Sequence, residues 1–325
     1  MSRALLVGDI GGTSVRFGLI KSGASPTEIS DFQKRPGDDF QTFEDALAAY
    51  IADTGLTPDH AVFGVAGPVE NGQVTLVNRP DWPTIDQQAL ATRFGFSSIR
   101  IVNDFAAMAR SVPELTGKHF TTLFEGVAAA EAPVLVAGAG TGFGVATIIP
   151  EANGAWSCVS GEGGHARYAP QTEIERQLAA YLQARHGYVS NELICGGTNL
   201  ALVHAALCEI EGQPYEAMPH EAILAHAEED DPICRMLCEI RAAGIMATIG
   251  DLALINGTLG GVFLAGGVSQ RLQPYLTRQH IGERFFERGP RSEYVRHIPV
   301  HLIQSELAPL IGAGALYFQE AGLSA

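Results

Sequence analysis

The first apolar segments of the chain predict a β-hairpin that polar residues interrupt. Leu5–Val7 and Val15–Ile20 are rich in residues that favour strands, and glycine separates the two runs. The interruption contains a carboxylate, Asp9, and a Gly-Gly-Thr sequence that ends at Thr13. Glycine at such a point either makes a turn or lets the backbone approach a ligand closely. The simplest alternative is a hairpin whose aspartate caps its own turn.

The same pattern occurs a second time, in Val134–Ile149. An apolar strand again leads into a glycine-rich turn and a second apolar strand, and Thr141 takes the position that Thr13 has in the first unit. Both turns offer backbone N–H groups and a hydroxyl, which can hold phosphate oxygens. Only the first turn follows an acid, Asp9, which can hold Mg²⁺ through water. The repeat therefore predicts two related lobes that close on one nucleotide.

The remaining periodic segments alternate between strands and helices. Phe43–Gly55 and Glu173–Gly187 have helical patterns that end at glycine, and Glu306–Gln319 predicts a closing helix. Asp231–Gly257 is apolar around much of its surface and predicts a central helix that stops at its Asn-Gly pair. Ala61–Asn78 reads as a strand, a Gly-Pro corner and a hairpin with an Asn-Gly tip. Because strands precede helices in both halves, the predicted class is α/β.

Two polar residues stand where a buried strand runs into a helix within Ser98–Val112. Considered alone, Asp104 is best explained as the N-cap of a helix that begins at Phe105. The end of a central strand in an α/β fold also faces the crevice where ligands bind, so the same acid is a candidate catalyst. Its neighbour Asn103 has a donor and an acceptor that suit a hydroxyl-rich ligand.

A glycine-flanked segment, Ser160–Pro170, contains Glu162 and His165. A Glu-x-x-His pattern on a helix is typical of a carboxylate metal site, but the two intervening glycines disfavour a helix, so a metal site is not expected. An exposed polar loop explains the pair equally well. Glu192, farther along the chain, is by itself a solvated helix residue.

Composition and charge narrow the class of protein. The 325 residues are 46% hydrophobic and 18% charged, which predicts a globular chain of two domains or one large one. A net charge of −15 argues against nucleic acid or an anionic membrane as the main partner. Five cysteines without a C-x-x-C spacing indicate reduced thiols in a cytoplasmic protein. The N-terminal apolar run is too short for a signal peptide, and no run is long enough to span a bilayer.

Two familiar nucleotide motifs are absent from the sequence. It contains no G-x-x-x-x-G-K-[ST] and no strict G-x-G-x-x-G. The chain is therefore not a P-loop enzyme, and a dinucleotide-binding fold is disfavoured. We expect its glycines to hold phosphate groups in another geometry.

An ordered set of motifs covers nearly the whole chain: "VGDIGGTSVRFGL", "VAGPV", "IVNDFAAMA", "GAGTGFGVA", "GEGGHARYAP", "GGVFLAGGV" and "PLIGAGALY". In this set the sequence resembles the bacterial glucokinases of the hexokinase group, whose superfamily includes actin and the Hsp70 ATPase domain. The resemblance implies an α/β, two-lobed actin-like ATPase (ribonuclease H-like) fold with an interlobe cleft. It implies a small lobe of residues 1–113 plus 305–325 and a large lobe of residues 114–304.

The resemblance also implies ATP-dependent phosphorylation of glucose to glucose 6-phosphate, which feeds glycolysis. The implied enzyme uses Mg²⁺ and is a cytoplasmic homodimer that binds no nucleic acid or membrane. Asp104 matches the catalytic base of the family. The positions that match sugar-binding residues are Asn103, Asp104, Glu162, His165 and Glu192. The positions implied to bind the nucleotide are Gly8, Asp9, Ile10, Gly11, Gly12, Thr13, Gly140, Thr141, Gly142, Gly266 and Gly267, and Asp9 is also the metal position.

The sequence departs from the family pattern in one place and leaves alternatives open. Cys195–Leu200 reads "CGGTNL" where relatives have a Ser-Gly-Pro-Gly-like run, which leaves the nucleotide contacts there undecided. The C-x-C-G-x-x-G-C zinc motif of the related repressors is absent, so a zinc-dependent repressor is not expected. The alternatives are a kinase for another hexose, such as fructose or N-acetylmannosamine, and a non-catalytic sugar sensor. An ATPase-driven chaperone or filament would lack the clustered polar residues that match a sugar site.

Overall fold

A computed structural model describes residues 4–76, 78–229 and 231–322 of the chain. Its strands are β1 (Ala4–Ile10), β2 (Ser14–Lys21), β3 (Ile29–Pro36), β4 (His60–Val65), β5 (Gln73–Val74), β6 (Ile85–Asp86), β7 (Ser98–Asn103), β8 (Phe120–Phe124), β9 (Val134–Ala139), β10 (Phe143–Pro150), β11 (Trp156–Gly161), β12 (Val262–Leu264) and β13 (Val300–Ile303). Its helices are α1 (Phe43–Thr54), α2 (Gln87–Phe94), α3 (Asp104–Ser111), α4 (Glu173–His186), α5 (Asn191–Cys195), α6 (Leu200–Ile210), α7 (His220–Glu228), α8 (Pro232–Asn256), α9 (Gly267–Arg271), α10 (Gln273–Leu276), α11 (Gln279–Phe286), α12 (Ser292–Arg296) and α13 (Ala308–Glu320).

The chain forms two compact units, each built from more than one segment. The first unit contains Met1–His119, Glu151–Ser160 and Ser305–Ala325, and the second contains Phe120–Pro150 and Gly161–Gln304. The lobes expected from the sequence place the first boundary at residue 113 instead, and they assign residues 151–160 to the large lobe.

The sheet of the first unit combines antiparallel and parallel strands in the order β3-β2-β1-β4-β7. β1 pairs antiparallel with β2 and parallel with β4, and β4 pairs parallel with β7. The register aligns Ile10 with Val65, and Val65 with Asn103. Because parallel strands end at the same edge of a sheet, the turn after β1 and the start of α3 lie at one edge, with β4 between them.

Apolar side chains cover both faces of this sheet. On one face, Phe17, Phe43, Phe63 and Tyr50 form an aromatic cluster whose ring centroids lie 5.1–6.2 Å apart, and all four are at most 2% exposed. On the other face, α3 and α13 pack against β1 and β4 through a second buried cluster. The predicted helix at Phe43–Gly55 is confirmed, since α1 begins after the capping hydroxyl of Thr42 and ends at the left-handed Gly55.

The sheet of the second unit repeats this arrangement. Five of its strands follow the order β10-β9-β12-β13-β8. β9 pairs antiparallel with β10 and parallel with β12, and β12 pairs parallel with β13. The prediction of a second hairpin in Val134–Ile149, similar to the first, is therefore confirmed. Each unit has a hairpin whose first strand pairs, on its other side, with a parallel strand of the same sheet.

The long helix α8 runs through the core of the second unit. Asp231 caps its first turn by accepting hydrogen bonds from the Ile233 and Cys234 amides, and Gly257 ends it in the left-handed conformation, as predicted. Cys234 and Cys238 are buried in this core and form no disulfide. In the described ranges, no helix is both long enough and apolar enough to cross a membrane.

In the described part of Ala61–Asn78, which omits residue 77, the predicted hairpin has a tight turn but almost no ladder. Asn71 and Gly72 both have positive φ, at 52° and 75°, which is the geometry of a tight hairpin turn. Among the described residues of this segment, one bridge, between Glu70 and Gln73, closes the turn. The following strand, β5, pairs with β6 instead, so the prediction is correct for the tip and wrong for the partner strand.

A buried ion pair ties two helices of the second unit together. The carboxylate of Glu175, on α4, accepts hydrogen bonds from both terminal nitrogens of Arg284 on α11, at 3.0 and 2.9 Å. Glu175 is 2% exposed and also accepts from the Gln171 amide. Burial by itself raises the pKa of Glu175, but these hydrogen bonds outweigh it and hold the pKa below its ordinary value.

We predict that Glu175→Gln lowers the free energy of unfolding by about 3–5 kcal/mol at pH 7, because Arg284 is left buried without its counter-charge. A depressed pKa stabilises the fold above the ordinary carboxyl pKa, so wild type loses this contribution as the pH falls through the folded-state value, whereas the variant does not. Urea unfolding at pH 7 and at lower pH measures both effects. Glu173→Gln, in an exposed pair on the same helix, is the control, and equal losses in the two variants would contradict the assignment.

Candidate active site

The first glycine turn joins β1 to β2 and carries a buried acid at its base. Residues 11–14 lie between the paired Ile10 and Val15, and Asp9 faces Arg16 across the strands. The two side chains form an ion pair, and Asp9 is 7% exposed. Burial raises the pKa of the Asp9 carboxyl above its ordinary value, and the Arg16 guanidinium offsets part of that rise. A further cation beside Asp9 would favour its ionised form.

The peptide groups of this turn are held from one side. The Gly12 carbonyl accepts a hydrogen bond from Arg79 Nε at 2.8 Å, and the Thr13 carbonyl accepts from the Gly37 amide at 2.9 Å. Within the described part of the chain, the Gly12 and Thr13 amides donate no hydrogen bond. In a trans peptide the carbonyl and the following N–H point in opposite directions. The Thr13 N–H therefore points away from Arg79.

The second glycine turn has the same arrangement. The Gly140 carbonyl accepts from the Gly197 amide at 2.8 Å, and the Thr141 carbonyl accepts from the Thr198 amide at 3.0 Å. The Thr141 and Gly142 amides donate no hydrogen bond to any other described residue. The segment Cys195–Leu200, where the sequence departs from the family pattern, thus supports this turn through its main chain.

The remaining nucleotide positions divide into two groups. Gly266 lies beside the second turn, because a Cβ atom added to it would stand 3.0 Å from the Gly140 amide nitrogen. Gly267 follows it and begins α9. In the first unit, a Cβ on Gly8 would meet the ring of Phe63, and Ile10 is fully buried. Both thus hold β1 in the core, and their role at a nucleotide stays a prediction.

The structure corrects the predicted cap of α3. The N-cap is Asn103, whose Oδ1 accepts hydrogen bonds from the Phe105 and Ala106 amides at 3.0 and 3.1 Å. Asn103 has an extended backbone, whereas Asp104 is already the first helical residue. Asn103 Nδ2 also donates to the Gly67 carbonyl at 3.1 Å, which leaves one amide hydrogen for a ligand. Asp104 is half-buried and lies at the same sheet edge as the first glycine turn.

Glu192 is not the solvated helix residue that the sequence alone suggests. Its Oε2 accepts a hydrogen bond from the Phe143 amide at 2.8 Å, directly after the second turn. A Cβ on Gly142 would come within 2.5 Å of this oxygen, so a larger residue there would displace the Glu192 carboxylate. Glu192 Oε1 lies 3.5 Å from His165 Nε2. Glu192 and His165 are therefore brought together beside the second turn.

Glu162 and His165 lie at the two ends of a short 3₁₀ turn, where the sequence predicted an irregular loop. Gly163–His165 forms one turn of 3₁₀ helix, and the His165 amide donates to the Glu162 carbonyl at 2.9 Å. Both side chains are exposed, in agreement with the predicted exposed segment. Their polar groups are available to a ligand of the second unit.

Three arginines at these turns were missed by sequence reasoning. Arg16 could have been found, because positions 9 and 16 face each other once the hairpin turn is centred on residues 11–14. Arg79 lies far from Gly12 in sequence. Arg241, on α8, is 5% exposed and donates to the Cys195 and Gly196 carbonyls at 2.8 and 3.1 Å. Nothing in the local sequence around Arg79 or Arg241 indicates these contacts.

Asp9 is the candidate ligand for a metal ion. Among the described residues, no group of three or more His, Cys, Asp or Glu side chains is placed to hold an ion. Mg²⁺ commonly binds through one or two carboxylates, several waters and the phosphates of a nucleotide. A single buried carboxylate at the base of a glycine turn fits that arrangement.

Comparison with solved structures defines the class of protein. A glucokinase from an Antarctic psychrotroph matches with a TM-score of 0.83 and 32% identity, over 97% of this chain and 99% of that one. A glucokinase from Balamuthia mandrillaris in complex with glucose matches with a TM-score of 0.81 and 20% identity, over 97% and 93% of the two chains. The chain has the two-lobed actin-like ATPase (ribonuclease H-like) fold of the sugar kinases, and the predicted fold class is confirmed.

Comparison with sequence families identifies the particular family. The family model described as Glucokinase matches residues 6–320. A glucokinase of Caulobacter sp. (strain K31) is 36% identical over 309 residues, which are 95% of this chain and 93% of that relative. The chain belongs to the glucokinase family, and the resemblance inferred from the motifs is confirmed.

Two of the glycines predicted to bind the nucleotide, Gly140 and Gly267, can be replaced by alanine without a clash inside the protein. A Cβ added to Gly140 or Gly267 meets no atom within 4 Å, so alanine fits at either position. We predict that Gly140→Ala and Gly267→Ala keep wild-type thermal stability but weaken MgATP binding, because a nucleotide must approach these backbones closely. Calorimetric titration measures the binding. Gly117→Ala is the control, because an added Cβ meets no atom there either. If Gly140→Ala and Gly267→Ala bind MgATP as tightly as this control and wild type do, neither glycine belongs to the nucleotide site.

Proposed function

We propose that this chain transfers the γ-phosphoryl group of ATP to the 6-hydroxyl of glucose and so supplies glucose 6-phosphate to glycolysis. The proposal rests on family membership across residues 6–320. The observation that carries it is the pair of glycine turns, whose Thr13, Thr141 and Gly142 amides donate to no described residue and can hold phosphate oxygens. The glucose complex of the Balamuthia relative supports glucose as the acceptor.

Asp104 acts as the general base in this proposal. The sugar 6-hydroxyl gives its proton to the Asp104 carboxylate as its oxygen attacks the γ-phosphorus. Asp104 directly follows β7, and β7 and β1 belong to the same sheet, so the base and the Thr13 amide are held by one sheet of the first unit. The amides of Thr13, Thr141 and Gly142 stabilise the charge that spreads over the transferring group.

Polar side chains bind the remaining sugar hydroxyls in the proposal. They are Asn103, whose Nδ2 donates one of its two hydrogens to the Gly67 carbonyl, and Glu162, His165 and Glu192. A site that hydrogen-bonds each hydroxyl rejects an analogue that lacks one far better than an apolar site would, because its own polar groups are then left unpaired.

Mg²⁺ is the proposed cation, and Asp9 would hold it through water together with the nucleotide phosphates. When bound, the ion neutralises phosphate charge. Arg16 keeps the Asp9 side chain in place by pairing with it across the hairpin.

The cellular setting belongs to the proposal as well. We propose a cytoplasmic homodimer, as the family resemblance implies. The charge of −15 supports the expectation that nucleic acid and anionic membranes are not its partners. Sedimentation equilibrium at several protein concentrations measures the association state directly.

An ATP-to-ADP coupled assay across a panel of hexoses tests the function. We expect glucose to give the highest kcat/KM. A higher value with fructose or N-acetylmannosamine would identify a kinase for another hexose. Sugar binding by calorimetry without any turnover would identify a sugar sensor of the same fold, and Asp104 would then have no catalytic role.

We predict that Asp104→Asn lowers kcat by roughly two to four orders of magnitude, because the base is lost. Glucose binding should persist, since asparagine keeps the size and polarity of the side chain. Asp86→Asn is the control, because Asp86 caps α2 in the same unit and asparagine caps equally well. Steady-state kinetics with a parallel glucose titration separate the two effects, and a near-normal kcat in the folded Asp104 variant would remove this residue from the base role.

A further inference from the structure

Arg79 is a buried cation beside the first glycine turn. It is 5% exposed, and its Nε donates to the Gly12 carbonyl at 2.8 Å. Its terminal nitrogens pair with Asp38 and lie 3.9 Å from Asp81. Its guanidinium stacks over the ring of Trp82, with 4.8 Å between Cζ and the ring centroid. Ion pairs, stacking and burial together hold the guanidinium in one orientation.

Gly37 leaves room for the Arg79 guanidinium, and Gly12 leaves room for the preceding residue, Asn78. A Cβ on Gly37 would stand 2.8 Å from the guanidinium carbon of Arg79, and a Cβ on Gly12 would stand 2.9 Å from the Cβ of Asn78. The Gly37 amide also donates to the Thr13 carbonyl. The guanidinium and the Gly37 amide therefore bond two successive carbonyls of the turn.

The two turns differ in where their donors come from. In the second turn, the donors to Gly140 and Thr141 include the main-chain amides of Gly197 and Thr198. In the first turn, the donor to Gly12 is the side chain of Arg79. Since the Gly12 carbonyl and the Thr13 N–H belong to one planar peptide, the guanidinium fixes the direction of that N–H. Without Arg79 the Gly12 carbonyl loses this donor, and a rotated peptide would present its carbonyl oxygen, which repels phosphate.

We propose that Arg79 is a positioning residue that holds the Thr13 amide in the orientation that receives a nucleotide phosphate. The inference rests on the proposed function, because it takes the first turn as a phosphate site. Arg79 acts through the Gly12–Thr13 peptide and touches neither the nucleotide nor the sugar.

The primary test compares Arg79→Met with wild type in MgATP and glucose kinetics. Methionine fills much of the same space but donates no hydrogen bond. We expect KM for MgATP to rise about tenfold or more, with KM for glucose within about twofold, because only the nucleotide side uses this amide. Calorimetric titration with MgADP should show the same loss of affinity without reliance on turnover.

Two further variants separate positioning from stability. Gly37→Ala displaces the guanidinium without changing any charge and should reproduce the loss on the MgATP side. Arg79→Lys restores one donor without the planar fork and should fall between wild type and Arg79→Met. Arg110→Met is the matched control, because Arg110 is equally buried in the first unit but bonds Gln319 and Glu114 instead of a turn. It should lower thermal stability and leave both KM values near wild type.

Each outcome decides the proposal. Folded Arg79→Met and Gly37→Ala variants with wild-type MgATP and MgADP affinity would overturn it, as would equal losses for glucose and nucleotide. If Arg79→Met does not fold, the MgATP, MgADP and glucose affinities of Arg79→Lys and Gly37→Ala test the proposal in its place. A wild-type protein that binds MgADP but phosphorylates no hexose would refute the proposed function, and the MgADP titrations would still test Arg79.

Discussion

The fold and the candidate site depend on how the peptide groups of two glycine turns are oriented. In both turns the successive Gly and Thr carbonyls accept hydrogen bonds from donors on one side. Planarity of the peptide then directs the neighbouring N–H groups to the other side, where no described residue accepts them. An acidic protein can bind phosphate in this way, because the attraction comes from local amides rather than from a basic surface.

The sheets supply the rigidity that this orientation needs. In each unit a hairpin closes around one turn, and its first strand is flanked on the other side by a parallel strand. The parallel strands of the first unit bring Asn103 and Asp104 to the edge where the first turn lies. In the second unit, Glu192 accepts a hydrogen bond from the Phe143 amide, which follows the second turn, and lies close to His165. The candidate sugar-binding side chains of this unit are therefore attached to the same turn as the candidate phosphate-binding amides.

Local sequence patterns predicted the hairpins and the main helices well, because strand formers, capping side chains and terminal glycines act over a few residues. Phe43–Gly55 and Asp231–Gly257 are examples, and the family motifs placed the site candidates. The patterns could not predict that Asn103 rather than Asp104 caps α3, since both types cap well and the backbone decides. They also missed Arg79 and Arg241, whose carbonyl partners are distant in sequence, and the partner of β5, which depends on the fold around it.

Backbone-amide NMR of the isotope-labelled protein, titrated with Mg²⁺ and a non-hydrolysable ATP analogue, tests the oriented-amide account most directly. The account predicts that the amide resonances of Thr13, Thr141 and Gly142 shift strongly in both units at saturation. The amide of Gly37, which is already bonded to the Thr13 carbonyl, should move far less. Saturation with the analogue that leaves the three turn amides unshifted, while resonances elsewhere move, would contradict the account.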